Sequence, residues 1–286
     1  MATLRRTLSA LAFVVAGAAV LPAAAVTGVP EPVQFQSVDG TTITASLYLP
    51  EGQPKGSVIA LHGCGGLFAT RGPRIGKLNA RHEAMAAMLV AHGYAALFPD
   101  SLTPRGEKEL CTQTIAGRRI GLLARRADVL GALTWVAAQA WARPERIALL
   151  GWSHGGSAVL AATDLARPAV RNHPVRPALA IAFYPGCGSI LLSGYQPSAP
   201  LVLMLAELDD WTAPGLCIDL GKSVGAEINV YRDSHHDFDN PAGSMRLRID
   251  VPNGVNPGQG VHVGPNPVAR EQAYARVRAL LRQAFP

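Results

Sequence analysis

Short apolar segments alternate with segments of helical periodicity along most of the chain. Strands are predicted for Val33–Val38, Thr42–Leu49, Ser57–Leu61, Ala95–Phe98, Arg146–Gly151, Ala178–Tyr184, Leu201–Leu205 and Ile228–Tyr231. Helices are predicted for Leu78–His92, Ile120–Trp141, His154–Thr163, Pro214–Val224 and Val268–Phe285. The first two strands flank an Asp39-Gly40 turn and form an antiparallel pair in this interpretation. Short apolar strands that alternate with helices predict an α/β fold, with a mostly parallel sheet and helices on both faces.

The chain has 286 residues, of which 49% are hydrophobic, and this is enough to bury one large core. It shows no internal repeat and no linker that would divide it. The Pro- and Gly-rich stretch Pro252–Pro267 is interpreted as a surface loop, not as a boundary. We therefore predict a single domain over residues 26–286.

The formal net charge is +6, and charged residues make up 16% of the chain. No run of Lys or Arg is interleaved with aromatic residues, so the sequence does not predict nucleic-acid binding. The low charge also argues against a coiled coil or a disordered chain.

Residues 1–25 have the pattern of a secretory signal. Arg5 and Arg6 form a positive region, Leu8–Leu21 is apolar, and Ala23–Ala25 supply small residues for cleavage. The apolar stretch is short for a membrane-spanning helix, and Pro22 follows it. We expect a periplasmic or secreted protein without stable membrane insertion after the signal is removed. General secretion and twin-arginine export both fit the Arg pair, and the sequence leaves the oligomeric state open.

Four cysteines in an oxidising compartment suggest disulfides. Four cysteines allow three pairings, and the sequence alone does not choose among them. We favour Cys64–Cys111 and Cys187–Cys217, because both members of each pair follow predicted strand ends on the same side of the sheet. Buried free thiols are the alternative.

The segment Gly151-Trp152-Ser153-His154-Gly155 directly follows a predicted strand and begins a predicted helix. A G-x-S-x-G sequence at such a junction is typical of a nucleophile elbow, a strained turn that presents the Ser hydroxyl at the edge of the sheet. The alternative is a Gly-rich turn whose Ser has no catalytic role.

A nucleophilic Ser needs a base and a carboxylate that orients the base. The acid is expected after a late strand, where Asp209 is preferred to Asp210. The base is expected after the last strand, where His236 is preferred to His235. A metal site formed by His235, His236, Asp237 and Asp239 is the competing interpretation. It is disfavoured because adjacent side chains in an extended segment point apart, and we expect neither a metal nor a cofactor.

An acyl-transfer site also needs backbone N–H groups that bind the developing oxyanion. His154, which follows the nucleophile, is one expected donor. The second is expected in the Gly-rich loop after the strand Ser57–Leu61, with Cys64 preferred to Gly63. A dinucleotide-binding loop is the alternative, but the G-x-G-x-x-G sequence is missing there.

Six segments occur in the same order as in the dienelactone hydrolases, a family of α/β-hydrolases. They are LHGCGGL, GYAALFPDSLTPRGE, RIALLGWSHGG, AFYPGC, LDDWTAP and YRDSHHDFD, and the resemblance runs from about Thr42 to the C-terminal helix. The chain differs from the founding members, which have Cys as nucleophile and a Glu in the loop that here contains His62-Gly63. These two differences, and export, argue against dienelactone itself as the substrate.

The resemblance implies an α/β-hydrolase fold and a metal-independent hydrolase of a small carboxylic ester or lactone, with Ser153, Asp209 and His236 as the triad. Arg74 or Arg81, after the oxyanion loop, and Trp211, beside the acid, are the expected substrate contacts, since an Arg can bind a carboxylate with two hydrogen bonds. Three alternatives stay open: a serine peptidase of the prolyl-oligopeptidase type, a lipase or polyester hydrolase, and a non-catalytic binding protein on a hydrolase fold.

Overall fold

The computed structural model describes residues 30–70 and 72–286. The predicted signal at residues 1–25 lies outside the described residues. The strands are β1 Glu31–Gln36, β2 Thr42–Tyr48, β3 Ser57–Leu61, β4 Ala95–Asp100, β5 Ile147–Trp152, β6 Leu179–Phe183, β7 Leu201–Ala206, β8 Glu227–Tyr231, β9 Arg246–Arg248 and β10 Val261–Val263. The helices are α1 Ala80–Ala91, α2 Leu122–Ala137, α3 His154–Ala162, α4 Pro168–Arg171, α5 Gly188–Leu192, α6 Pro214–Val224 and α7 Pro267–Ala284. Among the described helices, none combines the length and the apolar character needed to cross a membrane.

The described strands form an eight-stranded sheet in the order β1-β2-β4-β3-β5-β6-β7-β8, with β9 and β10 as a separate pair. β2 runs antiparallel to both β1 and β4, whereas β3 to β8 run parallel to one another and to β4. The mostly parallel sheet and its antiparallel opening pair are therefore confirmed. Gly40 supplies the positive φ of 86° that the turn between β1 and β2 requires.

Side chains alternate between two cores, one on each face of the sheet. In β5, Leu150 and Trp152 belong to a cluster that includes residues of α1 and α7. Ile147 and Leu149 belong to a second cluster with residues of α2, α3 and α6. Because both faces are covered, every residue of β5 is buried, which explains why the central strands read as continuous apolar runs.

The long helix predicted over Ile120–Trp141 is shorter at both ends. α2 begins after Gly121, whose backbone is extended. At the other end, the side-chain amide of Gln139 donates to the carbonyl oxygen of Trp135 at 2.8 Å. The backbone N–H of Ala138 also donates to this carbonyl, at 3.2 Å, so the last turn of α2 is closed by both bonds.

The prediction of a surface loop at Pro252–Pro267 is wrong for its second half. β10 lies within it and pairs antiparallel with β9. Val261 and Val263 are buried, and Val263 also forms a β-bridge with His236. Three residues are too few to give a clear alternating pattern in the sequence, and the flanking Gly and Pro residues obscure the strand.

Two disulfides have the predicted pairing, Cys64–Cys111 and Cys187–Cys217. The first joins the loop after β3 to the connection between β4 and α2. The second joins the loop after β6 to α6. All four cysteines are buried.

Replacement of both Cys187 and Cys217 by Ser should destabilise the fold without changing it. The bond closes a loop with a sequence separation of 30 residues, and its loss should lower the free energy of unfolding by about 3–4 kcal/mol by the chain-entropy relation. Urea unfolding followed by circular dichroism measures this change. A midpoint equal to that of the native protein would show that the bond contributes nothing to stability.

Candidate active site

Ser153 occupies a sharp turn between β5 and α3. Its φ of 52° lies in the left-handed region, which costs energy for a residue with a side chain. The turn is fixed by the Ser153 N–H, which donates to the carbonyl oxygen of Phe183 at 2.9 Å. A Cβ at Gly151 would lie 2.3 Å from the carbonyl oxygen of Gly155, so the turn tolerates only glycine there.

Gly155 also lets α3 start directly against the end of β3. A Cβ at this position would lie 2.0 Å from the carbonyl oxygen of Leu61. On the same side, a Cβ at Gly63 would lie 3.5 Å from the Cβ of Ser153. The loop after β3 is therefore packed against the turn that carries Ser153.

Asp209 and His236 form a buried pair at the carboxyl end of the sheet. His236 Nδ1 lies 2.8 Å from Asp209 Oδ2. The other carboxylate oxygen, Oδ1, accepts the backbone N–H groups of Trp211 at 2.9 Å and Thr212 at 2.8 Å. With an ionised carboxylate as its partner, Nδ1 carries the imidazole proton and Nε2 is left as an acceptor. The structure thus bonds the preferred candidates, Asp209 and His236, to each other.

Aromatic rings fix the orientation of this imidazole. The His236 ring lies 4.5 Å from the ring of Tyr184 and 4.7 Å from that of Trp211, measured between centroids. His236 is almost fully buried. Rotation of the ring would break the bond to Asp209 and the packing on both sides at once.

Thr212 supports the Asp209 carboxylate, and the sequence did not lead us to predict this role. Its hydroxyl lies 3.0 Å from Asp209 Oδ2 and 3.0 Å from the carbonyl oxygen of Tyr184. A Thr three residues after an Asp is a common local bonding partner. That spacing is the signal that could have identified it.

A cavity of about 390 Å³ opens at this place. Ser153, Cys64, Trp211 and Thr212 are among the residues that line it. Trp211 contacts the His236 ring and Thr212 bonds to Asp209, so the Asp–His pair lies directly behind the cavity wall. The nucleophile candidate therefore lines the cavity, and the base candidate is separated from it by the Trp211 and Thr212 side of its wall.

Two loops close the opposite side of the cavity, and Asn253 joins them. The Ile115 N–H donates to Asn253 Oδ1 at 3.1 Å, and Asn253 Nδ2 donates to the carbonyl oxygen of Gln113 at 2.8 Å. Ile115, Arg118 and Asn253 line this side. This wall was not predicted, because it depends on contacts between segments far apart in sequence.

Both expected oxyanion donors, Cys64 and His154, line the cavity. His154 is the first residue of α3, so its N–H has no acceptor one turn earlier within the helix. Burial, with the charges of Arg125 and Arg118, holds the pKa of the His154 imidazole well below its usual value, and the ring is neutral at pH 7.

Arg125 fixes the backbone before Cys64. Its Nη2 donates to the carbonyl oxygen of His62 at 2.8 Å. His62 Nε2 accepts the Ser101 N–H at 3.2 Å, so Nδ1 carries the proton and donates to the Gly63 carbonyl at 2.8 Å. The pKa of His62 lies well below its usual value. Burial is the largest cause, and the charge of Arg125 is the second. Burial also lowers the pKa of Arg125 to about 10, which leaves it charged at pH 7.

The prediction that Arg74 or Arg81 contacts substrate is not supported by their positions. Arg74 is half-exposed and pairs with Glu83 and the carbonyl oxygen of Leu78. Arg81 Nη1 lies 2.5 Å from Asp237 Oδ1 and from the Tyr184 hydroxyl, which places it behind the site. Neither residue lines the cavity in the described part of the chain, whereas Trp211 and Arg118 do.

Arg81 belongs to a buried polar network beneath the site. Asp239 accepts the indole N–H of Trp152 at 2.7 Å and the Tyr184 hydroxyl at 2.5 Å, and lies 3.7 Å from Arg81 Nη1. Burial raises the pKa of Asp239. For Asp237 burial acts in the same direction, but Arg81 outweighs it and lowers the pKa of that carboxyl. The network joins Trp152, next to Ser153, to the segment that carries His236.

The competing interpretation, a metal site of His235, His236, Asp237 and Asp239, does not agree with these positions. His236 is bonded to Asp209, while Asp237 and Asp239 are turned toward Arg81. His235 lies on the other side of the segment, with its ring 5.3 Å from that of His262. The four side chains proposed for that site thus have separate partners.

A strand-to-helix turn that carries Ser153, beside an Asp–His pair at the strand ends of a mostly parallel sheet, defines an α/β-hydrolase. A sequence model described as the Dienelactone hydrolase family matches residues 43–285. The chain belongs to the dienelactone hydrolase family, and it is a carboxylic ester hydrolase.

Solved structures share the fold at low sequence identity. A dienelactone hydrolase from Anabaena variabilis ATCC 29413 is 17% identical with a TM-score of 0.59, over 90% of this chain and 99% of that one. The dienelactone hydrolase-like promiscuous phosphotriesterase P91 from metagenomic libraries is 18% identical with a TM-score of 0.61, over 91% and 100%. Thermogutta terrifontis esterase 2 is 14% identical with a TM-score of 0.60, over 89% and 94%. No curated protein sequence matches the chain.

Substitution of Arg81 by Met should destabilise the protein strongly. The change leaves the buried Asp239 and the half-buried Asp237 without their cation, and loss of one partner of a buried charged group costs about 3–5 kcal/mol. The measurement is urea unfolding at pH 7.

Arg74→Met is the matched control. Arg74 pairs with Glu83 at the surface, where the side chain is 38% exposed, and an exposed pair contributes under about 1 kcal/mol. Equal losses in the two variants would contradict the structural role given to Arg81.

Proposed function

We propose that the protein is an exported serine esterase that cleaves a small carboxylic ester or lactone with Ser153, His236 and Asp209 as its catalytic triad. The observation that carries the proposal is the 2.8 Å bond between His236 and Asp209 behind the cavity that Ser153 lines. Membership of the dienelactone hydrolase family supports the reaction class. The family does not identify the ester.

In the first step, His236 Nε2 removes the proton from the Ser153 hydroxyl as the oxygen attacks the ester carbonyl. Asp209 keeps the second imidazole proton on Nδ1 and stabilises the imidazolium that forms. The backbone N–H groups of Trp211 and Thr212, which donate to Asp209 Oδ1, hold the carboxylate in position for this purpose. Collapse of the tetrahedral intermediate expels the alcohol, which receives its proton from His236, and leaves an acyl-enzyme at Ser153.

In the second step, water attacks the acyl-enzyme while His236 again acts as the base. Both tetrahedral intermediates carry a negative oxygen, and the backbone N–H groups of Cys64 and His154 are the proposed donors to it. Arg125 supports this role because it fixes the His62 carbonyl two residues before Cys64. Collapse of the second tetrahedral intermediate breaks the bond between the acyl carbon and the Ser153 oxygen. His236 returns its proton to that oxygen, and the acid product leaves.

The cavity favours a small substrate. A volume of about 390 Å³ is at the lower end of the range for ligand pockets. Trp211 and Leu122 give it an apolar wall, and Arg118 adds a cation at the side closed by Asn253. These features support an ester or lactone of modest size over a polymer chain.

Export is part of the proposal. Residues 1–25 have the pattern of a secretory signal, and the domain proposed for the mature protein is residues 26–286. The two buried disulfides are consistent with an oxidising compartment outside the cytoplasm. The periplasm and the external medium both meet that condition.

Hydrolysis of short-chain p-nitrophenyl esters tests the triad. Ser153→Ala should lower kcat by at least about 10⁴-fold, and Asp209→Asn should lower it by about the same factor because the imidazole loses its correct tautomer. Asp219→Asn, an exposed position on α6, is the matched control and should keep native activity. Activity that survives in Ser153→Ala would overturn the assignment. Turnover of amides in place of esters would favour a peptidase.

Removal of the Cys64–Cys111 bond tests the proposed oxyanion donor. The double change to Ala keeps the N–H of residue 64 but frees its loop from the connection before α2. Because one misplaced donor costs up to about 100–1000-fold in rate, we expect kcat to fall by about 10-fold or more, with a smaller change in KM.

The double change of Cys187 and Cys217 is the control for a general loss of stability. Both double variants should unfold more easily, but only the variant at 64 and 111 should lose kcat under conditions where each is folded. An equal effect on kcat in the two variants would remove the support for Cys64 as the donor.

A further inference from the structure

A second group of His and Asp side chains lies directly behind the proposed triad. It consists of Asp210, His235 and His262, and one ligating atom from each lies within 4.8 Å of the others. Asp210 follows Asp209 and His235 precedes His236 in the chain. The two groups therefore share two backbone segments but point in opposite directions.

The alternation of side chains along these segments produces the arrangement. Asp209 faces His236, with 2.8 Å between the bonded atoms. Its neighbour Asp210 faces His262: Oδ2 lies 2.7 Å from His262 Nδ1, and Oδ1 accepts the His262 backbone N–H at 2.8 Å. A short strand, β10, supplies the third residue, His262.

The backbone holds β10 in this position. Val263, next to His262, forms a β-bridge with His236, and the Gly264 N–H donates to the His236 carbonyl oxygen at 3.1 Å. His262 is thus fixed beside His235 by main-chain bonds on both sides. Its own side chain is 47% exposed, which leaves it free to adjust to a ligand.

His235 has an unsatisfied ring nitrogen at this place. Its Nδ1 is buried and has no hydrogen-bond partner in the described part of the chain. Buried polar atoms are bonded in the large majority of cases, and an exception calls for an explanation such as an ion. The ring lies 5.3 Å from that of His262, which is itself bonded to Asp210. A cation among the three side chains would be a partner for one imidazole nitrogen of each His and for the Asp210 carboxylate.

We propose that Asp210, His235 and His262 bind a divalent transition-metal ion of the Zn²⁺ type. Two imidazoles and one carboxylate are ligands that zinc accepts, at about 2.0–2.2 Å from the metal, and three protein ligands leave one tetrahedral position for water. Mg²⁺ prefers oxygen ligands and is disfavoured by this set. Tetrahedral ligands lie about 3.3 Å apart at these bond lengths. Small rotations are therefore needed, which open the 2.7 Å pair of Asp210 and His262 slightly and bring His235 to the same spacing.

The bound ion would join three segments that are otherwise held together by hydrogen bonds and side-chain packing. These are the loop after β7 with Asp210, the segment after β8 with His235, and β10 with His262. Two of them also carry Asp209 and His236, so the metal is a structural staple for the acid and the base. It takes no part in the proposed acyl transfer.

Zinc binding to the untagged, chelator-treated mature protein tests the site, with ZnCl₂ as the probe. Competition with a chromophoric chelator should give one ion per chain. At a zinc concentration 100-fold above the Kd, Tm should rise by about 5 °C or more, because the ion binds only the folded state. The same concentration of MgCl₂ should leave Tm unchanged.

Two variants locate the site. Asp210→Asn keeps an oxygen that can accept the His262 N–H, and His262→Gln changes a half-exposed side chain, so both should fold. Each should weaken zinc binding by at least about 10-fold and so reduce the shift in Tm to about half or less at the same zinc concentration. His92→Gln, at an exposed helix end remote in sequence, is the matched control and should retain the full shift.

The proposal is overturned if zinc leaves the native Tm unchanged, or if Asp210→Asn and His262→Gln keep the native shift. If zinc leaves the native Tm unchanged, Asp210 and His262 form only a hydrogen-bonded pair at the surface, and His235 binds no ligand. Repeating the titration with Ser153→Ala separates this site from the proposed triad. Zinc should bind that variant as it binds the native protein, whether or not Ser153 proves to be the nucleophile.

Discussion

The end of β3 and the start of α3 approach each other so closely that their contact is backbone against backbone. A Cβ at Gly155 would lie 2.0 Å from the carbonyl oxygen of Leu61, a separation that no side chain can fill. The contact sets the distance between the loop with Cys64 and the turn with Ser153. The proposed nucleophile and both proposed oxyanion donors therefore depend on a single packing constraint between a strand and a helix.

Two buried arginines, Arg81 and Arg125, also hold the site in place. Arg81 holds Asp237 and Asp239 on the side of His236, and Asp239 in turn bonds to the indole of Trp152, next to Ser153. Arg125 acts on the opposite side through the His62 carbonyl. Burial of each arginine costs desolvation free energy. The bonds that offset this cost also hold groups near the site in place. Rigid placement is what preorganised catalysis requires of its surroundings.

Local patterns in the sequence were sufficient for the architecture and for part of the site. The apolar runs of β3 to β7 predict a parallel sheet because both of its faces are covered, and the G-x-S-x-G turn is encoded within five residues. The sequence predicts Arg81 as a substrate contact, because nothing in α1 shows that its neighbours are carboxylates more than 150 residues later. The wall formed by Ile115 and Asn253 and the short strand β10 were missed for the same reason, since each depends on a partner that is distant in the chain.

The disulfide between Cys64 and Cys111 has a consequence for the activity of the newly made protein. A residue proposed to bind the oxyanion is also half of a covalent cross-link, and the loop it belongs to acquires that restraint only after oxidation. In a reducing compartment the loop of Cys64 would keep its contacts with Arg125 and with the Ser153 turn but would lack the covalent restraint. With Cys64 in its proposed role, formation of this bond would raise the rate of the hydrolase as well as its stability, so full activity would appear only in a compartment where the bond can form.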